Sequence, residues 1–90
     1  MSYFVYIIRS QKSGKHYIGQ TIDLENRLRE HNSGKSRSTK GGIPWVLEYK
    51  EEYVTRSEAV QRERNLKSPA GWKELKEIYI NNHRNVAQPG

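Results

Sequence analysis

Two tyrosines near the start of the chain are the first candidates for a chemical site. Tyr6 lies in the Val-Tyr-Ile segment 5–7 and Tyr17 in the Tyr-Ile-Gly segment 17–19, with a turn over 10–14 between them. In an antiparallel hairpin about this turn, the two side chains come almost opposite each other and project from the same face. The sequence therefore predicts two phenols side by side on one surface of a sheet.

The first predicted helix carries two polar side chains where its spacing predicts a core face. Leu24, Arg27, Leu28 and His31 follow the spacing i, i+3, i+4, i+7 that is typical of a buried helix face. Arg27 and His31 are one turn apart and project together. For this helix alone we favour a simple explanation, in which the Arg stem lies on the core with its head in water and the His is hydrogen-bonded at the helix end.

Glu63 interrupts the apolar face of the second predicted helix in the same way. Ala59 and Leu66 lie on that face, and a buried Glu is rare unless it is paired or bound to a metal. One explanation is an ion pair with Arg27 or with a neighbour such as Lys67. The functional explanation is a carboxylate ligand for Mg²⁺, an ion that takes one or two carboxylates and keeps several waters.

Together these positions place two phenols, a guanidinium, an imidazole and a carboxylate inside a very small domain. A core of this size gains nothing from burying all five, so a shared polar site is the simpler explanation. Nine of the ten acidic residues are Glu, and Asp23 is the only Asp. Because no cluster of carboxylates is present to hold paired ions, one metal ion is expected rather than two.

Periodicity and end signals predict the elements that must position these residues. Residues 3–9 are apolar on both alternating faces, which is typical of a central strand. Residues 45–53 alternate, so one face of this strand is expected to lie inward and the other in water. The inward residues are Trp45, Leu47, Tyr49 and Tyr53. The other predicted elements are a strand over 15–20, a helix over 24–32 between Asp23 and Gly34, a helix from the capping box 55–58 to 67, and a last helix over 72–80 with Trp72, Leu75 and Tyr79 on one stripe.

The order ββαβαα predicts an α+β fold, a small three-stranded antiparallel sheet flanked by helices. Ninety residues are enough for one domain, which is predicted to span residues 1–80. The polar residues 81–90 are expected to form a disordered tail. With no cysteine, disulfides and thiolate metal sites are excluded. No apolar run approaches the roughly 20 residues that a membrane helix needs, so we expect a soluble, cytoplasmic protein that is not bound to a membrane.

The charge of the chain points to a polyanionic partner. Sixteen Lys and Arg residues oppose ten acidic ones, for a formal net charge of +6. In a domain of this size such an excess most often indicates nucleic acid, although a solvated basic surface is the simpler alternative.

The ordered series of motifs resembles the GIY-YIG nuclease domain family. The matching segments are 5–7, 17–19, Arg27 with His31 after 23–26, 32–34, Thr39 with Lys40, Ala59 with Glu63, and Leu66 with Lys67. The resemblance covers roughly residues 2–80. It is strongest to small stand-alone bacterial members, which are related to the N-terminal incision domain of the repair protein UvrC.

The resemblance implies metal-dependent cleavage of DNA phosphodiesters and assigns a role to each polar residue. Tyr6 and Tyr17 match the motif tyrosines, Arg27 the catalytic arginine, Glu63 the metal ligand, and His31 a position that is frequently His. Glu63 would hold one Mg²⁺ or Mn²⁺, and Arg27 would grip phosphate oxygens. Tyr6 is expected to take the proton of the attacking water, with its pKa lowered by the metal and Arg27. Tyr17 or His31 would assist, in an order that the sequence leaves open.

A second set of residues is expected to contact the DNA backbone. Lys, Arg, hydroxyl groups and the amides of a glycine-rich loop are the usual phosphate contacts, and they read little sequence. The alternative is a solvated loop that happens to be basic. The residues assigned to this set are Lys35, Arg37, Thr39, Lys40, Arg62 and Lys67.

The leading hypothesis is a one-metal DNA endonuclease of low sequence specificity, in DNA repair or recombination. No small-molecule cofactor is expected, and protein partners are not specified by the sequence. A non-catalytic nucleic-acid-binding module with the same fold is the first alternative. An interaction module presented to a larger repair complex is the second.

Overall fold

Three antiparallel strands form a sheet whose middle strand is the first in the chain. β1 (Tyr3–Ser10) pairs with β2 (His16–Thr21) on one side and with β3 (Trp45–Tyr53) on the other, so the strand order is β2-β1-β3. The computed structural model describes residues 2–71, 73, 74, 76 and 77. The predicted α+β class with a three-stranded antiparallel sheet is confirmed.

The burial of β1 explains why it lies in the centre of the sheet. Its four consecutive side chains from Val5 to Ile8 are at most 3% exposed. Because neighbouring side chains of a strand point to opposite faces, both faces of β1 must be covered. Two helices provide the covers, as the apolar character of both faces predicted.

One face of the sheet is covered by α1 (Leu24–Ser33). This helix begins after Asp23, whose carboxylate accepts a hydrogen bond from the backbone N–H of Asn26 at 3.1 Å. It ends at Gly34, where φ is 85°, in the left-handed region that favours glycine. Both end signals agree with the predicted bounds.

The opposite face is covered by α2 (Arg56–Lys67). Thr55 and Glu58 form the predicted capping box, in which each side chain accepts a hydrogen bond from the backbone N–H of the other, both at 3.2 Å. Ala59 and Leu66 are fully buried against the sheet. In the part of the chain that the structure describes, neither helix is long and apolar enough to cross a membrane.

The sheet separates two small apolar clusters, one under each helix. The cluster on the α2 side consists of Val5, Ile7, Ile18, Ala59 and Leu66, with Tyr3, Tyr49 and Tyr53 packed against it. The cluster on the α1 side consists of Tyr6, Ile8 and Trp45, with Tyr17, Leu24, Leu28 and Ile43 packed against it. The two candidate phenols therefore lie on the α1 side of the sheet.

A β-bulge in the pairing of β1 with β3 changes which residues of β3 point inward. Ile7 pairs with Tyr49, but Ile8 pairs with Leu47, so one extra residue of β3 lies between the two pairs. The prediction that Trp45, Leu47, Tyr49 and Tyr53 share one inward face is therefore wrong, because Trp45 and Leu47 lie on the α1 side and Tyr49 and Tyr53 on the α2 side. On its side Leu47 is 39% exposed. Glu51, which is not among the predicted inward residues, shares a face with Tyr49 and Tyr53.

A third helical segment follows directly after α2. It includes residues 69–71, 73, 74, 76 and 77, so it begins earlier than the predicted start at 72. Ser68 explains the early start, because its hydroxyl accepts a hydrogen bond from the backbone N–H of Gly71 at 3.1 Å, while Pro69 suits the first helical position. The predicted apolar stripe of Trp72, Leu75 and Tyr79 and the predicted tail 81–90 lie outside the described residues.

A group of polar side chains, here called the Glu51 cluster, ties α2 to the sheet. It consists of Tyr49, Glu51, Tyr53, Arg62 and Glu74. The hydroxyls of Tyr49 and Tyr53 donate to the Glu51 carboxylate at 2.5 and 2.6 Å. Arg62 donates to the same carboxylate at 2.8 and 3.0 Å and to Glu74 at 3.0 and 3.2 Å. Burial alone would raise the pKa of Glu51, but these hydrogen bonds outweigh it and the pKa is lowered.

Arg62 thus has a role inside the fold, which corrects its assignment as a DNA contact. Its side chain is only 20% exposed, and its Nε, Nη1 and Nη2 atoms all donate to carboxylates. A guanidinium beside a shielded carboxylate forms this forked pair in preference to a contact at the surface.

Replacing Arg62 by Gln is expected to lower the free energy of unfolding by about 2–4 kcal/mol, because the shielded carboxylate of Glu51 loses its cation. Arg29→Gln is the matched control, since Arg29 and its partner Glu25 are 68% and 89% exposed. For this exposed pair we expect a change below about 0.5 kcal/mol. Urea unfolding measures both variants, and equally small effects would contradict the role assigned to the Glu51 cluster.

Candidate active site

The two motif tyrosines lie on the same face of the sheet, offset along the strands. In the register of β1 with β2, Tyr6 is opposite Gly19 and Tyr17 is opposite Ile8. The two phenols are therefore diagonal neighbours rather than a directly opposed pair, and their ring centroids are 6.4 Å apart. The offset leaves the position across from Tyr6 without a side chain.

Gly19 provides the space through which the Tyr6 side chain passes. A Cβ at this position would lie 2.6 Å from the Tyr6 hydroxyl oxygen and 2.8 Å from its Cζ, closer than real Cβ atoms come. A glycine inside a strand often marks such a close approach. The sequence contains this signal in the Tyr-Ile-Gly segment 17–19.

His31 is the residue that the Tyr6 hydroxyl reaches. Its side chain is fully buried, and its Nε2 lies 2.8 Å from the Tyr6 hydroxyl oxygen. The other ring nitrogen, Nδ1, lies 2.8 Å from the hydroxyl oxygen of Thr39. The ring also contacts Tyr17 edge-on, with centroids 5.0 Å apart. The imidazole therefore joins the sheet, α1 and the following loop in one hydrogen-bonded group.

Burial shifts the pKa values of His31 and Tyr6 in opposite directions. Burial lowers the pKa of His31, and the charge of Arg27 lowers it further, so the imidazole is neutral at pH 7. Burial raises the pKa of Tyr6 to about 12, although Arg27 acts in the lowering direction. Arg27 thus acts on the Tyr6 pKa in the expected direction, but desolvation outweighs it, so the guanidinium alone does not give Tyr6 a lowered pKa.

Arg27 places a charge beside the Tyr6 hydroxyl at the edge of the buried group. The interaction with Tyr6 is the main cause that raises the pKa of the guanidinium, so it stays cationic. Its side chain is 33% exposed, and its Nη1 donates to Glu30 at 3.1 Å. Because a third of the side chain remains accessible, this guanidinium can meet an anion in solution while it touches the phenol.

Glu63 approaches from the helix on the opposite face of the sheet. Its carboxylate accepts a hydrogen bond from Nζ of Lys67 at 2.7 Å, which is the neighbouring ion pair considered as the simpler explanation. Its negative charge is also among the causes that raise the pKa of Tyr6, so the carboxylate acts on the phenol across the sheet. Lys67, predicted as a DNA contact, lies against Glu63 with half of its side chain exposed.

The donors available for a metal ion limit which ion would fit. Among the described residues, no group of three or more His, Cys, Asp or Glu side chains could hold a metal. Among the described residues, Glu63 therefore belongs to no group of three such donors. This donor suits Mg²⁺ or Mn²⁺, which can keep several waters, and it does not suit a zinc ion that needs three or four protein ligands.

The basic loop after α1 divides into exposed cations and one buried hydroxyl. Lys35, Arg37 and Lys40 are exposed, as a phosphate-binding surface requires. Thr39 is only 1% exposed, and its hydroxyl contacts His31, so its assignment as a DNA contact is corrected. The loop folds back over α1 at this position. Because a loop has no regular alternation of buried and exposed residues, the sequence could not predict the burial of Thr39.

Comparisons with known proteins agree with this geometry. Residues 2–76 match the family described as GIY-YIG catalytic domain. The chain is similar to a UPF0213 protein of Staphylococcus saprophyticus, with 38% identity over 77 residues that cover 84% of this chain and 93% of that protein. A UPF0213 protein of Haloquadratum walsbyi is 40% identical over 67 residues, covering 73% of this chain and 74% of that protein.

A solved structure shows the same fold. The solution NMR structure of the UPF0213 protein BH0048 from Bacillus halodurans matches with a TM-score of 0.58 and 27% identity. The match covers 100% of this chain and 98% of that chain. The UPF0213 name itself states no activity.

Gly19→Ala is expected to lower the free energy of unfolding by about 1–3 kcal/mol, because the added methyl group collides with the Tyr6 phenol. Gly41→Ala is the control, since a Cβ there meets nothing within 4 Å, and we expect a change within about 0.5 kcal/mol. Thermal and urea unfolding measure both. If the two variants are equally stable, Tyr6 does not pass over Gly19 as described.

Proposed function

The chain belongs to the GIY-YIG catalytic domain family, and from that membership we propose that it is a divalent-metal-dependent DNA endonuclease with little sequence preference. The observation that carries the proposal is the buried hydrogen bond between Tyr6 and His31 beside the partly exposed Arg27. Phosphodiester hydrolysis needs a proton acceptor next to a fixed positive charge, and these three residues supply both.

The proton of the attacking water is transferred through a neutral phenol. The O–H bond of the water breaks as its proton goes to the Tyr6 oxygen, while the phenol hydrogen moves to Nε2 of His31. The water oxygen forms the new bond to phosphorus, the bond to the leaving sugar oxygen breaks, and that oxygen takes a proton from solvent. Because the pKa of Tyr6 is about 12, this concerted path needs no free phenolate at neutral pH.

Arg27 binds the phosphate and stabilises the charge that develops on it. A guanidinium can donate two parallel hydrogen bonds to phosphate oxygens, and its charge persists at every working pH. Its position beside the phenol would bring the bound phosphorus next to the water that Tyr6 activates.

Glu63 would hold the metal ion in exchange for its contact with Lys67. One bound Mg²⁺ or Mn²⁺ supplies positive charge that neutralises the phosphate and the leaving oxygen. Lys67 would then be available to contact the DNA backbone.

The exposed cations Lys35, Arg37 and Lys40 supply the nonspecific part of DNA binding in this proposal. They contact phosphates, so they orient the duplex without reading its bases. From the resemblance alone, we also propose a cytoplasmic location and a role in DNA repair or recombination.

Cleavage of nicked, flapped, branched and single-stranded DNA is expected in the presence of Mg²⁺ or Mn²⁺ and not in EDTA. Arg27→Ala and Glu63→Gln should each slow cleavage by about 100-fold or more, because each removes a group that stabilises charge in the transition state. Arg29→Ala, on the exposed side of the same helix as Arg27, should retain the wild-type rate.

Two outcomes would reject the endonuclease. Cleavage that survives Arg27→Ala and Glu63→Gln would indicate a contaminating nuclease. DNA binding without cleavage of any substrate would favour the alternative of a non-catalytic nucleic-acid-binding module with the same fold.

Replacement of Lys35, Arg37 or Lys40 by Gln is expected to weaken DNA binding equally for unrelated sequences. Each lost phosphate contact should reduce the slope of log K against log[salt] by about 1. Fluorescence anisotropy between low and moderate salt measures the slope. Arg62→Gln should leave it unchanged, because Arg62 is held in the Glu51 cluster, and a reduced slope for that variant would restore Arg62 as a DNA contact.

A further inference from the structure

Thr39 occupies a position that the proposed proton transfer does not explain by itself. It is one of three buried polar residues among those described, and its hydroxyl oxygen lies 2.8 Å from Nδ1 of His31, on the side of the ring away from Tyr6. A neutral imidazole carries its proton on one nitrogen and accepts at the other. The hydrogen-bond partner of Nδ1 therefore determines whether Nε2 donates to Tyr6 or accepts from it.

The surroundings of Thr39 orient its hydroxyl group. Its oxygen also contacts the backbone carbonyl of Ser36 at 3.5 Å, and a carbonyl can only accept. A Thr39 hydrogen directed at this carbonyl leaves a lone pair of the Thr39 oxygen facing His31. A ring nitrogen that faces a lone pair acts as the donor, so this arrangement favours the proton of His31 on Nδ1.

The contacts at Tyr6 lead to the same tautomer independently. Arg27 lies beside the Tyr6 hydroxyl, and a guanidinium has donors only. The phenol hydrogen therefore needs an acceptor elsewhere, and the atom in reach is Nε2 of His31 at 2.8 Å. An Nε2 that accepts leaves the proton on Nδ1, opposite Thr39.

Thr39 is itself held firmly enough to orient a ring. The indole Nε1–H of Trp45 donates to its carbonyl at 2.7 Å, and its own backbone N–H donates to Ser36 at 3.2 Å. The side chain of Asn32 bonds the backbone of Trp45 on both sides, at 2.6 and 3.0 Å. Since Asn32 is the neighbour of His31 on α1, the loop and the ring share one anchor.

We propose that Thr39 is a positioning residue that holds His31 as the Nδ1–H tautomer, so that Nε2 is always free to receive the proton of Tyr6. Its catalytic consequence rests on the proposed nuclease function, but the tautomer itself does not. Without the hydroxyl, the ring can carry its proton on Nε2 and donate to Tyr6, which blocks the transfer in the direction that hydrolysis requires.

The tautomer can be measured without DNA or metal. Two-bond ¹H–¹⁵N correlation spectra of ¹⁵N-histidine-labelled protein distinguish a protonated ring nitrogen from an unprotonated one, and His31→Gln identifies the His31 signals. The wild type and Thr39→Ser are expected to show a protonated Nδ1 and an unprotonated Nε2. Thr39→Val, which keeps the shape and loses the hydroxyl, should show a mixture or the Nε2–H form, and Thr39→Ala repeats the test should Val not fold.

Three results would overturn the proposal. An Nε2–H tautomer in the wild type would reject it directly, as would a Thr39→Val spectrum identical to that of the wild type. In cleavage assays we expect Thr39→Val to lower kcat by about 10–100-fold with KM nearly unchanged, and Thr39→Ser to restore it. A Thr39→Ser variant as slow as Thr39→Val would show that shape matters and the hydroxyl does not.

The outcomes for tautomer and function can be told apart. If no DNA is cleaved under any condition but the spectra show the Nδ1–H form in the wild type and its loss in Thr39→Val, the nuclease proposal fails and the role of Thr39 in holding the ring stands. If cleavage is observed and the tautomer does not depend on Thr39, only the role of Thr39 fails.

Discussion

The structure depends on one hydrogen bond, between the Tyr6 hydroxyl and Nε2 of His31. A buried phenol and a buried imidazole each need a hydrogen-bond partner within the protein, and these two provide one for each other. The bond forms because Gly19 lets the phenol pass across β2, and because Thr39 satisfies the other nitrogen of the ring. A glycine in a strand, a histidine on a helix and a threonine in a loop thus follow from a single physical requirement.

Burial determines how this site can handle a proton. It keeps His31 neutral and raises the pKa of Tyr6 to about 12, so neither group is charged before a substrate arrives. The charge comes from Arg27, which is partly exposed and accessible to an anion. Glu63 lies on the opposite helix, and the Glu51 cluster fixes that helix to the sheet. The buried proton carrier and the Arg27 charge therefore lie on the α1 side of one thin sheet, and the Glu63 charge lies on the α2 side.

Local signals predicted the elements well and failed at identifiable places. Asp23, Gly34 and the capping box at Thr55 set the ends of both helices as expected, because end signals act through neighbouring backbone groups. The predicted single inward face of β3 failed because a bulge adds one residue to the strand, so that Trp45 and Leu47 lie on one side of the sheet and Tyr49 and Tyr53 on the other. The third helical segment begins earlier than predicted because the Ser68 hydroxyl caps it by accepting a hydrogen bond from the backbone N–H of Gly71.

The sequence by itself determined which polar residues interrupt apolar faces, and therefore that Tyr6, Arg27, His31 and Glu63 needed an explanation. Only the tertiary structure decided their partners, because the register of β1 with β2 and the path of the loop over α1 select pairs that are distant in the chain. Thr39 and Arg62 show the difference. Both are residue types that commonly contact phosphates, yet Thr39 is buried against His31 and Arg62 is bound to Glu51. In each case a shielded polar atom nearby binds the side chain more strongly than solvent does.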